Sequence, residues 1–303
     1  MHDLIIIGAG PAGLTAALYA ARFKMDTVVL EKMSVGGQIL LSPSVENYPG
    51  FPGGISTFEL VDKFRKQVDE LGVPIESAEV LDIQPKAGGY CVKASEKDYQ
   101  ARCLIIASGA QSKRLNVAGE ERLIGKGVSY CGTCDGPLFK SKDIVVVGGG
   151  DRAVEDALFL SSYAKSVSII HRRSEFRASG ILVDKLKKDP KINLILDSVI
   201  AEISGTQRVE GVRVKNVKTN KETQIPCQGV FIFVGIKPNT DFLKNLLEKD
   251  EFGFIITDQA LISSKVGIFA AGDCIRKSLY QVVSACSDGA VAADSAHKYL
   301  LNR

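Results

Sequence analysis

Leu4-Ile5-Ile6-Ile7-Gly8-Ala9-Gly10-Pro11-Ala12-Gly13 is the stretch that decides the fold. Four consecutive apolar residues suit a strand buried on both faces. Gly8, Gly10 and Gly13, with Pro11 and Ala12 between them, then permit a tight turn and close approach of the backbone to a pyrophosphate. The N-terminus of the following helix, read over residues 14–22, is placed to hold that anion. The next strand, 27–30, runs into Glu31, an acid suited to the hydroxyls of an adenosine ribose. Such a glycine pattern is weak evidence alone. With a strand before it, a helix after it and an acid at this distance, it marks a dinucleotide-binding unit.

The plan recurs. A strand at 144–147 enters Gly148-Gly149-Gly150-Asp151-Arg152-Ala153, and a helix follows with Val154, Ala157, Leu158 and Leu160 on one face. The strand after it, 167–170, ends in His171-Arg172-Arg173, with Arg177 close behind. Glu31 would repel a ribose 2′-phosphate, whereas arginines pair with one. The first site therefore suits free ribose hydroxyls and the second suits a 2′-phosphorylated nucleotide. Arg152 supports an anion at the second turn, because a cation in a helix's first turn otherwise faces the positive end of the dipole.

Each fingerprint is followed by short alternating strands. The first set is read at 75–84, 90–94 and 99–107, ending in Ala107-Ser108-Gly109; the second at 193–204, 209–217 and 223–234. Residues 34–52 read as a loop and 58–71 as an amphipathic helix. A strand at 267–270 leads into Gly272-Asp273, and an Ala-rich helix spans 282–301. The expected fold is α/β: two Rossmann-like, three-layer dinucleotide-binding domains, each with a β-meander, the first discontinuous. The expected segments are 1–113, 114–240 and 241–303.

Between the fingerprints stands Tyr130-Cys131-Gly132-Thr133-Cys134-Asp135-Gly136. Two cysteines spaced by two residues can close a small disulfide ring, in which one thiol ionises at ~7 rather than ~8.5 and becomes a nucleophile at neutral pH. Placed between two nucleotide units, such a pair reads as an electron relay. The competing reading is half of a metal knuckle. Zinc needs four ligands, and the chain holds no second C-x-x-C and only three histidines, His2, His171 and His297, so no metal is expected.

Bulk composition excludes other classes. A net charge of +3 without a long basic block gives no support to nucleic-acid binding. Seven scattered cysteines are not a secreted disulfide framework; Cys91, Cys103 and Cys227 read as small buried hydrophobes. No apolar run reaches membrane length, and Met1-His2-Asp3 enters the first strand without a basic leader, so the cytoplasm is the expected location.

Taken together, residues 8–13, Gly36-Gly37-Gln38, Val45-Glu46-Asn47-Tyr48-Pro49-Gly50, 131–136, 148–153, His171-Arg172-Arg173 with Arg177, and Gly272-Asp273 resemble the low-molecular-weight thioredoxin reductases, over essentially the whole chain. The resemblance implies a homodimeric flavoenzyme in which electrons pass from NADPH to FAD, to the Cys131–Cys134 disulfide and on to thioredoxin. It implies FAD contacts from Gly8, Gly10, Pro11, Ala12, Gly13, Glu31, Gly37, Gln38, Asn47, Ala107, Gly109, Gly272, Asp273, Gln281 and Val282. NADPH would be met by Gly148, Gly150, Asp151, Arg152, Ala153, His171, Arg172, Arg173 and Arg177. Both nicotinamide and disulfide must reach one flavin, so the domains are expected to rotate between half-reactions about residues 113–117 and 237–241. Asp135 is implied as the general acid–base, although Asp-Gly-Pro also suits a plain turn. Which cysteine attacks the substrate stays open. Gly132 stands where the family usually has Ala, Arg152 where Ser is usual, and Tyr280 where Arg is common. A reductase of another thioredoxin-like or peroxiredoxin-system carrier is the alternative, and a nucleotide-dependent redox sensor is a rival outside enzymes.

Overall fold

A computed structural model describes residues 1–41 and 44–302; Ser42 and Pro43 of the expected loop, and Arg303, lie outside the described residues. The chain forms two compact units. The first comprises Met1–Leu40, Tyr48–Gln111 and Lys237–Arg303, and the second comprises Leu41–Asn47 and Ser112–Ile236.

The first unit is built on one sheet. His2–Ile7 lies at its centre, flanked in parallel by Thr27–Glu31 on one side and Asp98–Ile106 on the other. Leu4, Ile5 and Ile6 are wholly buried, as a strand covered on both faces requires. Ile75–Ser77 extends the parallel layer beyond Thr27–Glu31, and Ile268–Ala270 extends it beyond the far half of Asp98–Ile106. The near half of that same long strand pairs antiparallel with Gly89–Ala94, which pairs with Val80–Lys86. One nine-residue strand thus serves both the parallel layer and the meander. The helices Pro11–Arg22 and Val282–Leu301 pack together against this sheet, and Gly289 lets them approach, since a Cβ there would stand 2.1 Å from the Ala12 carbonyl oxygen.

The second unit repeats the layout. Its parallel order is Val128–Ser129, Gly229–Phe233, Asp143–Gly148, Ser166–Ile170 and Ile192–Ile195. The meander Ser198–Ser204, Gly211–Asn216, Glu222–Pro226 is a separate three-stranded sheet here.

Three expected elements divide. The run 193–204 splits into Ile192–Ile195 of the parallel sheet and Ser198–Ser204 of the meander, with Asp197 turning the chain at φ 50°. The run 75–84 splits in the same way at Ala78 and Glu79, and 223–234 splits at Cys227 and Gln228. In each case apolar residues continue across the break because both pieces face a core, so periodicity does not register the change of strand. Among the described residues no helix is long and apolar enough to cross a membrane.

Candidate redox site and nucleotide cradles

The first cradle follows from strand geometry. At the end of His2–Ile7 the chain turns at Gly8, with φ 107°, and a Cβ there would stand 2.3 Å from the Ala107 carbonyl oxygen. A Cβ on Gly13 would stand 1.8 Å from the Gly8 carbonyl oxygen, so only glycine lets the helix approach its own turn. Gly10 is different: apart from the Gly36 carbonyl at 3.9 Å, a Cβ there meets nothing, which leaves the side where a phosphate would approach clear. Gly10 caps the helix without a side-chain bond and Pro11 opens it, so the first-turn N–H groups keep their capacity for an anion.

Glu31 is tied to this turn. Its Oε2 accepts the Ala9 N–H at 2.7 Å and its Oε1 accepts the Met33 N–H at 2.9 Å. Each oxygen keeps a lone pair, so the carboxylate can hold the turn and accept from a ribose hydroxyl as well. The Ala9 carbonyl accepts the Gly36 N–H, which brings the Gly37–Leu41 turn, with Gln38, to the same place. Ala107 bonds back to Ile7, and Gly109 accepts the Asn239 N–H. Asn47, expected beside FAD, falls in the second unit.

Gly272 and Asp273 follow Ile268–Ala270 and are held by two residues that the sequence reading did not single out. Asp288 accepts the Gly272 N–H at 3.1 Å, and Lys277 bridges Asp273 at 3.2 Å and Asp288 at 2.8 Å. Tyr280, in the place of the family's arginine, packs on Phe254 with the Lys277 ammonium 5.7 Å from its ring. Gln281 and Ser284 form a capping box that starts the Val282–Leu301 helix.

The second cradle has the same turn with different company. The Gly150-capped helix Asp151–Ser161 opens with Asp151, whose Oδ1 accepts the Ser179 N–H at 2.8 Å and so fixes the segment after the arginines. Arg172, Arg173 and Arg177 are exposed at the carboxyl end of Ser166–Ile170, and none is in an ion pair among the described residues. The Arg177 N–H bonds the Gly149 carbonyl, which anchors this loop to the glycine turn. His171, expected as a nucleotide contact, is buried instead. Its Nε2–H donates to the Glu175 carbonyl, its ring stacks on Phe176, and a Cβ on Gly149 would strike that ring at 2.2 Å. Burial holds its pKa below the ordinary value, with the neighbouring arginines adding to the effect. It supports the turn from behind. Arg152, expected to answer a bound anion, has an anion on its own helix: Asp156 Oδ2 lies 3.7 Å from its Nε.

The cysteine pair grows out of the second sheet. Val128–Ser129 delivers Tyr130 and Cys131 to the carboxyl edge of the parallel strands, where α/β proteins do their chemistry. Cys131 caps the short helix Gly132–Asp135 by accepting the Cys134 N–H, and the two sulfurs are joined, with their Cα atoms 5.3 Å apart. Asp135 is 5% exposed, and its Oδ2 accepts the Ser129 hydroxyl at 2.6 Å. The same Ser129 oxygen accepts the Cys131 N–H at 3.1 Å. One hydroxyl therefore sets the acid and the first cysteine together.

Residues 2–289 match the family described as pyridine nucleotide-disulphide oxidoreductase. The chain belongs to that family. This oxidoreductase is 43% identical over 301 residues to the thioredoxin reductase of Listeria monocytogenes, covering 99% of this chain and 94% of that one. It is 41% identical to the thioredoxin reductase of Peptoclostridium acidaminophilum over 306 residues, covering 99% and 97%. Among solved structures, the thioredoxin reductase of Streptococcus pyogenes has a TM-score of 0.94 at 42% identity, covering 100% of this chain and 99% of the other.

Two further groups in this oxidoreductase escaped the sequence reading. Glu120, 1% exposed, accepts the N–H groups of Leu115, Asn116 and Val117 at 3.0, 2.7 and 3.4 Å, and the Tyr130 hydroxyl at 2.8 Å. Burial, then the bond to Glu120, drives the Tyr130 hydroxyl's pKa upward, so it stays a donor. Asp156 is the other: its carboxyl reaches the redox helix at Gly132. The contacts that tie them to the redox segment, Tyr130 for Glu120 and Gly132 for Asp156, lie in other elements, where spacing does not show them.

Proposed function

We propose that this chain is a thioredoxin reductase whose redox centre is Cys131 and Cys134, with Asp135 as the proton source. The observation that carries the reading is the disulfide with a buried carboxyl beside it, set on a unit that has its own nucleotide cradle. When bound, NADPH supplies hydride, and FAD relays the two electrons to the disulfide. The cradles fit those groups. Gly8, Gly10 and Gly13, with the open first turn after them and Glu31 at the strand end, suit the pyrophosphate and ribose of FAD. Gly148, Gly150, Asp151 and Ala153 form the second turn, and Arg172, Arg173 and Arg177 offer the 2′-phosphate of NADPH three cations that no carboxylate pairs with among the described residues.

Reduction of the carrier needs a thiolate on one cysteine and a proton for the departing sulfur of the carrier. Asp135, oriented by Ser129, is positioned beside Cys131 and Cys134 to hold and pass that proton. The second sulfur then closes the ring again and releases the reduced carrier. Rotation of one unit against the other, about the crossings near 111–112 and 236–237, lets disulfide and nicotinamide take turns at the flavin in this reading. A homodimer and a cytoplasmic location complete the proposal.

The test is NADPH oxidation by the purified yellow protein with a panel of disulfide acceptors. Turnover with the cell's own thioredoxin, and none without an acceptor, is the expected result. Turnover with a different thioredoxin-like carrier, and none with thioredoxin, would replace the substrate assignment.

A further inference from the structure

Gly132 and Arg152 both depart from the family pattern, and in the structure both meet one side chain. A Cβ on Gly132 would stand 2.5 Å from Asp156 Oδ1 and 3.0 Å from its Cγ, so the carboxyl occupies the space that an alanine would fill. Arg152 flanks the same carboxyl at 3.7 Å. Gly132 is bonded directly to Cys131, which places the carboxyl against the backbone of the redox ring. The Asp156 side chain is 14% exposed, while that of Arg152 is 45% exposed, so the acid is mostly covered and its cation is exposed.

We propose that Asp156 is a positioning residue of the redox pair, seated against Gly132 so that its negative charge opposes ionisation of the Cys131 and Cys134 thiols after the disulfide is reduced. The thiolate is the attacking species, and a like charge nearby disfavours it. Burial raises the Asp156 pKa to about 6; Arg152 draws it down and Glu155, on the same helix, pushes it up. From the redox helix the titratable neighbours are the two cysteines and Asp135, whose carboxyl is bound to Ser129. Below about pH 6 the acid is neutral and its opposition lapses; above it the opposition is complete. The sulfur chemistry thus acquires a second pH dependence, set by a residue outside the cysteine pair. The inference rests on Cys131–Cys134 as the redox pair, but not on which carrier is reduced.

The test reads the thiols directly. FAD-loaded enzyme is reduced with dithiothreitol, freed of reductant, and alkylated with iodoacetamide across the range from about pH 4.5 to 9, with Cys131 and Cys134 followed by mass. The wild-type rate profile should show a lower inflection near that of Asp156. Asp156→Asn should remove it and lower the main thiol titration by roughly half a unit to one unit, which is about three- to tenfold faster alkylation at pH values well below that titration. Arg152→Ala should keep the lower inflection and move it upward. An Asp156→Asn profile that superimposes on wild type, whether or not the variant is less stable, overturns the proposal. An altered profile in an enzyme that reduces no thioredoxin would leave it standing and remove the substrate assignment instead.

Discussion

Asp135→Asn separates proton transfer from architecture. In the native site the carboxylate accepts the Ser129 hydroxyl at 2.6 Å while nearly excluded from water. An amide oxygen accepts that hydroxyl equally well in geometry. The stability cost is then at most the difference between a hydrogen bond to a charged acceptor, ~1.5–3 kcal/mol, and one to a neutral acceptor, ~0.5–1.5 kcal/mol: about 1 kcal/mol, and less when the native carboxyl holds its proton. Loss of the proton source acts on the barrier instead, and should lower thioredoxin turnover by ~10²–10⁴. FAD content, and bleaching of the flavin by NADPH in a stopped-flow instrument, should stay normal because neither needs Asp135. Ser129→Ala is the companion: it keeps the acid but takes the Ser129 hydroxyl from both it and the Cys131 N–H, so turnover should fall by about tenfold or more with a stability loss of ~1–3 kcal/mol. An Asp135→Asn enzyme that turns over within about threefold of wild type while melting early would show that Asp135 is a turn residue and that the proton comes from elsewhere.

Arg172→Ala with Arg173→Ala should raise KM for NADPH steeply and leave NADH nearly unchanged, since each phosphate contact is worth ~1.5–3 kcal/mol; equal losses with both nucleotides would make the arginines structural. Cys131→Ser and Cys134→Ser should each abolish thioredoxin reduction and spare flavin reduction by NADPH, and turnover in either variant would break the relay. Asp156→Asn should stabilise the fold at neutral pH. A carboxyl raised from 3.8 to about 6 by burial costs wild type stability as pH rises through that interval, up to about 3 kcal/mol above it. Urea midpoints should therefore give the variant its full advantage at about pH 8 and a smaller one at about pH 5; an equal advantage at both would refute the assignment.

How much could be read in advance depended on where a residue's partners lie. Gly8–Gly13 with Glu31 sit within one strand–turn–helix–strand segment, so spacing sufficed. The same holds for Gly148–Ala153 and the arginines after Ser166–Ile170. His171 was placed correctly along the chain but not in depth, because a position at a strand end does not say whether the ring turns toward solvent or against Gly149. Lys277, Asp288 and Glu120 were invisible for a different reason. Each is an ordinary charged residue in sequence, and its role is created by backbone N–H groups or carboxylates that folding brings to it. Strand Val128–Ser129 is two residues long, too short for any pattern, yet it decides where the disulfide stands.

That short strand also has a counterpart in the first unit. In each, the fifth parallel strand comes from outside the continuous βαβ segment: Ile268–Ala270 from the far end of the chain in the first, Val128–Ser129 from ahead of the first strand in the second. Each pairs with the fourth strand and ends at the carboxyl edge of its sheet. In the first unit the residues that follow are Ala271-Gly272-Asp273, with the acid locked by Lys277. In the second they are Tyr130-Cys131-Gly132-Thr133-Cys134-Asp135, with the acid locked by Ser129. The two glycine turns already stand at the matching edge, two strands over. One position of the fold thus ends in an acid in both units, and the cysteines are inserted ahead of it in one. A redox pair built there needs no new scaffold: the strand fixes its entry, the acid is already in place, and the helix that begins at the neighbouring glycine turn supplies Asp156 against its backbone.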